Sequence, residues 1–115
     1  MDDSTNSILA SIRKMGGYDE YFNPDLIIHI NTTFAKLNQI GVGPKDGFYI
    51  EDDTATWSDY TDNLVLQHMV KTYMDLQVKL LFDTSTASSY QIDLMKEQSA
   101  ELEWRLNAVV DFKSS

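Results

Sequence analysis

Cysteine is absent from the chain. No disulfide framework and no thiolate metal site can form, and this usage fits a reducing compartment. Cations are scarce as well: nine lysines and arginines stand against eighteen aspartates and glutamates, for a formal charge of -9. A protein that holds nucleic acid by neutralising phosphates needs clustered cations, whereas these are scattered from Arg13 to Lys113. A DNA-reading helix-turn-helix is disfavoured on the same ground, since no candidate recognition helix is basic. Long apolar runs are also missing. No stretch approaches the roughly 18 apolar residues of a membrane span, and the Met1-Asp2-Asp3-Ser4-Thr5 start lacks a basic region followed by an apolar one. A soluble, unexported polypeptide with no membrane partner is expected. The two prolines and five glycines are few enough to act as punctuation.

What remains is an ordinary globular composition. With 43% apolar and 23% charged residues over 115 positions, the chain is long enough for a single core, and one domain over residues 1–115 is expected. Ile8, Leu9, Ile12 and Met15 share one helical face, and Gly16-Gly17 stops a short amphipathic helix spanning residues 4–15. Asn23-Pro24-Asp25 is a start signal: a cap residue, a proline whose missing N–H costs nothing in the first turn, and a carboxylate near the positive end of the dipole. A second helix runs from there to Ile40 on a stripe of Leu26, Ile27, Ile30, Phe34, Leu37 and Ile40, and Gly41-Val42-Gly43-Pro44 ends it.

Residues 45–62 differ in kind. Phe48-Tyr49-Ile50 has strand-like residues, Glu51-Asp52-Asp53 is an acidic run, and Trp57 stands among small polar residues. A long ordered loop that can include a short β-hairpin is predicted. Asp62-Asn63 caps a third helix over residues 64–82 whose apolar positions cover more than one stripe, so it is buried on several sides. After a polar break at residues 83–89, Ser88 or Ser89 caps a fourth helix to about Val110. Ile92, Met95, Ser99, Leu102, Leu106 and Val109 form its three-four repeat, while Glu97, Glu101 and Arg105 form an i,i+4 ladder. Residues 112–115 read as a short tail. The expected fold is all-α: a compact bundle of about four helices with a long loop between the second and third.

No seat for reaction chemistry is visible. His29 and His68 lie on faces expected to be solvated, where an ordinary surface histidine outweighs a ligand. In the acidic run only Glu51 and Asp53 could converge, and the calcium-loop spacing is missing. A solvated loop is the better reading. No nucleophile elbow, phosphate loop, dinucleotide fingerprint or zinc-protease motif occurs, and neither a cofactor nor a metal is expected. Trp104 lies off the stripe of Leu102 and Leu106. Filling a flank of the core against the long loop is favoured over an interface anchor there, whereas for Trp57 the two roles are evenly balanced.

Taken in order, the run from Leu37 to Pro44, Phe48 to Ile50 with Thr56-Trp57-Ser58-Asp59-Tyr60, Tyr73 through Lys79-Leu80-Leu81-Phe82-Asp83, and Glu103-Trp104-Arg105-Leu106-Asn107 resemble the small head-tail connector (adaptor) proteins of siphophages and prophages. The likeness extends over residues 7–110. One departure is Thr84-Ser85-Thr86, where such proteins often carry prolines after the Phe-Asp pair. The resemblance implies a non-enzymatic virion subunit at the neck, present in the host cytoplasm during assembly. It also implies a ring of about a dozen copies that docks on the portal, meets a stopper or tail-completion protein, and extends a conduit through which DNA passes without specific binding.

Loops and tails are where such contacts are expected. The candidate subunit or portal interface is therefore Phe48, Tyr49, Glu51, Asp52, Asp53, Trp57 and Tyr60 in the loop, with Asp111, Phe112 and Lys113 at the C-terminus. A heterologous ring needs two unlike patches on each subunit, and an acidic channel wall would repel DNA. The competing reading is a generic acidic helical interaction module, such as an inhibitor or antitoxin-like partner, acting as a monomer or dimer. A small enzyme pairing a histidine with a carboxylate is a distant third.

Overall fold

The computed structural model describes residues 6–82 and 88–114, the side chains of residues 109–114 excepted. Among the described residues five α-helices form: α1 (Ile8–Gly16), α2 (Asn23–Gln39), α3 (Trp57–Tyr60), α4 (Leu64–Phe82) and α5 (Ser89–Ser114). No strand occurs among the described residues, so the all-α expectation holds and the hairpin does not form.

The first helix starts at Ile8 because Ser7 is already committed elsewhere. Its backbone is extended, its Oγ accepts the Ala10 N–H at 3.2 Å, and the same hydroxyl donates to the Asp53 carbonyl at 2.8 Å. The first part of the expected span, residues 4–5, lies outside the described residues. Gly17, with φ 69°, closes the helix in the left-handed conformation.

A single 3-10 turn, Glu20–Phe22, leads directly into α2, and this displaces the expected cap. Asn23 is the first helical residue, not the cap, and its Oδ1 accepts from Arg13 Nη1 at 3.1 Å, tying α2 to α1. The expected stripe is buried at Leu26, Ile30, Phe34 and Leu37. At the far end the Val42 N–H reaches the Leu37 carbonyl at 2.9 Å and the Gly41 N–H reaches Asn38 at 3.0 Å. That is a Schellman closure, with Gly41 at φ 84° supplying the left-handed residue.

The loop is folded back onto the helices and held by side chains, which is why residues 48–50 need no partner strand. Asn31 of α2 clamps Ile50 at both backbone groups, accepting its N–H at 2.8 Å and donating to its carbonyl at 2.9 Å. The only sheet-like pairing among the described residues is a single antiparallel bridge between Ser7 and Thr56. Thr56 then caps α3 in a reciprocal capping box with Asp59. Asn31→Ala would leave both Ile50 groups without protein partners, at a cost of about 1–3 kcal/mol. The expected result is faster proteolysis in residues 45–56 with an otherwise intact core, read by limited digestion and mass spectrometry.

Gly43 sits at φ 91°, and a Cβ there would approach the Tyr60 hydroxyl to 2.5 Å. Gly43→Ala combines an unfavourable backbone region with a clash against a buried ring. It should lower stability by about 1–3 kcal/mol, as urea unfolding would show; an unchanged midpoint would refute the close packing of loop and ring.

Asn63 caps α4, its Oδ1 accepting the Leu66 N–H at 3.2 Å. This helix is the centre of the bundle, packing against α1, α2, α3 and α5. The cap of α5 is Ser88, in a reciprocal pair with Gln91 at 3.1 Å in each direction. The turn before it, where the Thr84-Ser85-Thr86 departure falls, lies outside the described residues. Beyond Val110 the expected tail is instead helical, since α5 continues to Ser114.

Candidate interaction surface

The loop residues singled out from sequence separate into two groups. Trp57 and Tyr60 are core residues, 1% and 4% exposed. This corrects their assignment to an interface, because α3 turns both rings inward. Trp57 Nε1–H donates to Ser11 Oγ of α1 at 2.8 Å, and Tyr60 packs on Phe34 with ring centroids 4.9 Å apart. Burial raises the Tyr60 phenol pKa well above its ordinary value. Phe48 is half-buried against Phe34 and Tyr60. Tyr49, Glu51, Asp52 and Asp53 are exposed. Asp52 accepts from both the Thr54 hydroxyl and the Thr54 N–H, which lowers its carboxyl pKa. Of the loop residues singled out, one aromatic ring and three carboxylates thus face solvent. The side chains of Asp111, Phe112 and Lys113 lie outside those described.

Trp104 is the residue whose placement differs most from expectation: it is 73% exposed and covers no part of the core. The loop that was expected to cover it is instead engaged on α1 and α2. Tyr90 and Leu94, on the same outward face of α5, are exposed too. The inward face buries Ser99 and Leu106 fully and Leu102 in part. On α4, Leu64, Val65 and Leu81 remain exposed.

Between these helices runs a polar seam that the sequence did not announce. Lys36 Nζ of α2 donates to Gln77 Oε1 of α4 at 2.9 Å, and Gln77 Nε2 donates in a short bond to Ser99 Oγ of α5. The Tyr73 hydroxyl meets Ser99 and Glu103, and burial, reinforced by the Glu103 charge, pushes its phenol up to about 12. Tyr73 is therefore a proton donor at neutral pH. Directional bonds of this kind set the register of α5 on α4, where an apolar contact alone would let the helix slide.

Neither histidine is in an ion pair with a carboxylate among the described residues. His29 is half-buried, edge-on to Phe82 at 5.0 Å, which differs from the fully solvated face expected, and His68 is exposed. No group of three metal-ligating side chains gathers among the described residues, and no described helix is long and apolar enough to cross a membrane. The described concavities are shallow grooves between helices and along the loop, lined by mixed polar and apolar residues.

Among the described residues the fold is a small helical bundle with an apolar core and several large aromatic and aliphatic side chains left exposed, and no described group of side chains gathers for metal binding. The family model for phage connector proteins matches residues 8–113, and the chain belongs to that family of phage structural proteins. No curated protein and no solved structure gives a match.

Proposed function

We propose that the chain is a head-tail connector subunit of the virion neck, which assembles with copies of itself into a ring of about a dozen. The ring docks on the portal and extends the DNA conduit toward the stopper or tail-completion protein. The observation that carries this reading is the family match over residues 8–113 together with exposed Tyr90, Leu94 and Trp104 on a helix that needs none of them for its own packing. Isolated exposed apolar residues are normal on any surface, but large aromatics aligned on one helix face mark contact sites.

The charge supports the same role. At -9 the subunit carries few groups that would hold phosphate, and a ring of such subunits presents a wall past which DNA slides. Tyr49, Glu51, Asp52 and Asp53, with residues 111–113, are the proposed contacts to the portal or to the next subunit.

Deleting the gene from the phage or prophage that encodes it should yield DNA-filled heads and free tails that do not join, with tailed particles restored by the intact gene supplied in trans. Normal tailed particles from the deletion would overturn the proposal and favour a generic acidic binding module.

A further inference from the structure

The outward face of α5 carries a second periodic stripe. Tyr90, Leu94, Glu97, Glu101 and Trp104 recur at spacings of four, three, four and three, and all five are exposed. That is the spacing of a helix seam meant for a partner. The stripe is apolar at its ends and acidic in the middle. Glu97 makes no ion pair among the described residues, and Glu101 is held only by Arg105 at 2.6 Å on the same helix.

On a different flank of α5 lies a groove of about 300 Å³. Leu80 and Leu81 of α4 form its apolar lining, Lys36 of α2 and Lys96 of α5 supply its cations, and Gln77, Ser99 and Glu103 complete it. Its one carboxylate, Glu103, already receives the Tyr73 hydroxyl. Neither lysine is in an ion pair among the described residues, although the chain as a whole has two acids for every base. The groove is thus cationic and apolar where the ridge is anionic and apolar.

We infer that the α5 ridge of one copy seats in the groove of α2, α4 and α5 of a second copy. Ridge and groove lie on different flanks of one rigid helix, so a subunit cannot satisfy its own groove. Each copy offers one of each, and the resulting contact is head-to-tail, which closes into a ring or extends. The inference rests on the multi-copy reading above and adds to it which surfaces meet.

The test uses adjacent residues that point to different flanks. Lys96→Glu reverses the groove and leaves Lys36 bonded to Gln77, while Glu97→Lys reverses the ridge and leaves Glu101 paired with Arg105. Each variant is supplied in trans to the deleted phage, and copies per purified particle are measured by quantitative mass spectrometry, with thermal melts confirming the fold. Either single reversal should lower incorporation by about tenfold, and the double reversal, which conserves net charge and restores complementarity in inverted form, should recover at least about half. Trp104→Ser should reduce incorporation without changing the melt.

Folded single reversals that incorporate like the wild type, or a folded double reversal that fails to recover, would overturn the pairing while leaving a multi-copy connector intact. A wild-type chain present at one copy per particle, or absent from it, would remove the multi-copy reading and this inference with it.

Discussion

Trp57→Ala is expected to destabilise the subunit by about 3–5 kcal/mol, the range for emptying a fully buried indole site. Three contributions add. The ring is 1% exposed and packs beside Phe34, so its removal opens a cavity where α1, α2 and α3 meet. Its Nε1–H bond to Ser11 links residues 46 apart in sequence, so the loop loses its anchor on α1. The Lys71 ammonium, 5.6 Å from the ring centre, loses its aromatic neighbour. For a domain of this length the melting temperature should fall by roughly 10 °C or more. Trp57→Phe keeps most of the apolar area and should cost less, about 1–3 kcal/mol, through the unmade bond and the smaller ring. The only other tryptophan is Trp104, so a Trp104→Phe background isolates the emission of Trp57. It should be blue-shifted when folded and move to the red on unfolding. A loss below about 1 kcal/mol for Trp57→Ala would contradict the core placement of the loop.

The second large effect is expected at the root of α5. Among the described residues of that helix, Leu106 is the one large apolar side chain with no exposure at all, and the neighbouring Asn107 donates to the Ile40 carbonyl at 2.9 Å. Leu106→Ala should cost about 2–5 kcal/mol. Because Leu106 is fully buried at the α5 contact, which otherwise rests on partly buried side chains and the polar seam through Gln77 and Ser99, the loss should be concentrated there. Hydrogen exchange should show α5 amides opening well before those of α2 and α4, since elements with few buried apolar contacts occupy the low-stability end of a fold. Trp104→Ala, only two residues away, is expected to change stability by no more than about 0.5 kcal/mol. The contrast separates the face that builds the folded chain from the face proposed to meet a neighbouring copy. A Trp104→Ala variant as unstable as Leu106→Ala would show that the exposed indole packs within the subunit after all.

Local signals carried much of the fold. Asn63 and Ser88 were readable as caps because their side chains bond within the first helical turn, and the Gly41 closure was readable because only a left-handed residue completes it. The bounds of α4 followed from the Asp62-Asn63 cap and the polar break after Phe82, and its burial on several sides from apolar residues on more than one stripe. What escaped was nonlocal. Nothing in residues 54–60 says that Trp57 will find Ser11, or that Ser7 will bridge to Thr56, because those partners are brought by the return path of the loop. The same cause misplaced Trp104: its position off the Leu102–Leu106 stripe was legible, but whether the loop would cover it depended on where Asn31 pins Ile50. Of the polar seam only Ser99 was legible, standing on the three-four stripe of α5; that it meets Gln77, and that Lys36 reaches Gln77 from α2, depends on how the helices face one another. Of the candidate site, the outward Tyr49 and its acidic neighbours lay where the loop reading put them. The α5 ridge was visible only as an ion-pair ladder, since its apolar members matter once the opposite face is seen to be buried.

Symmetry-averaged imaging of the neck in intact particles bears most directly on the subunit's role. The expected density is a closed ring between portal and tail, built from repeated copies of this five-helix subunit, with the outward face of α5 covered by the adjacent copy. Particles in which the neck is complete and this chain contributes no density, or a single copy, would contradict it.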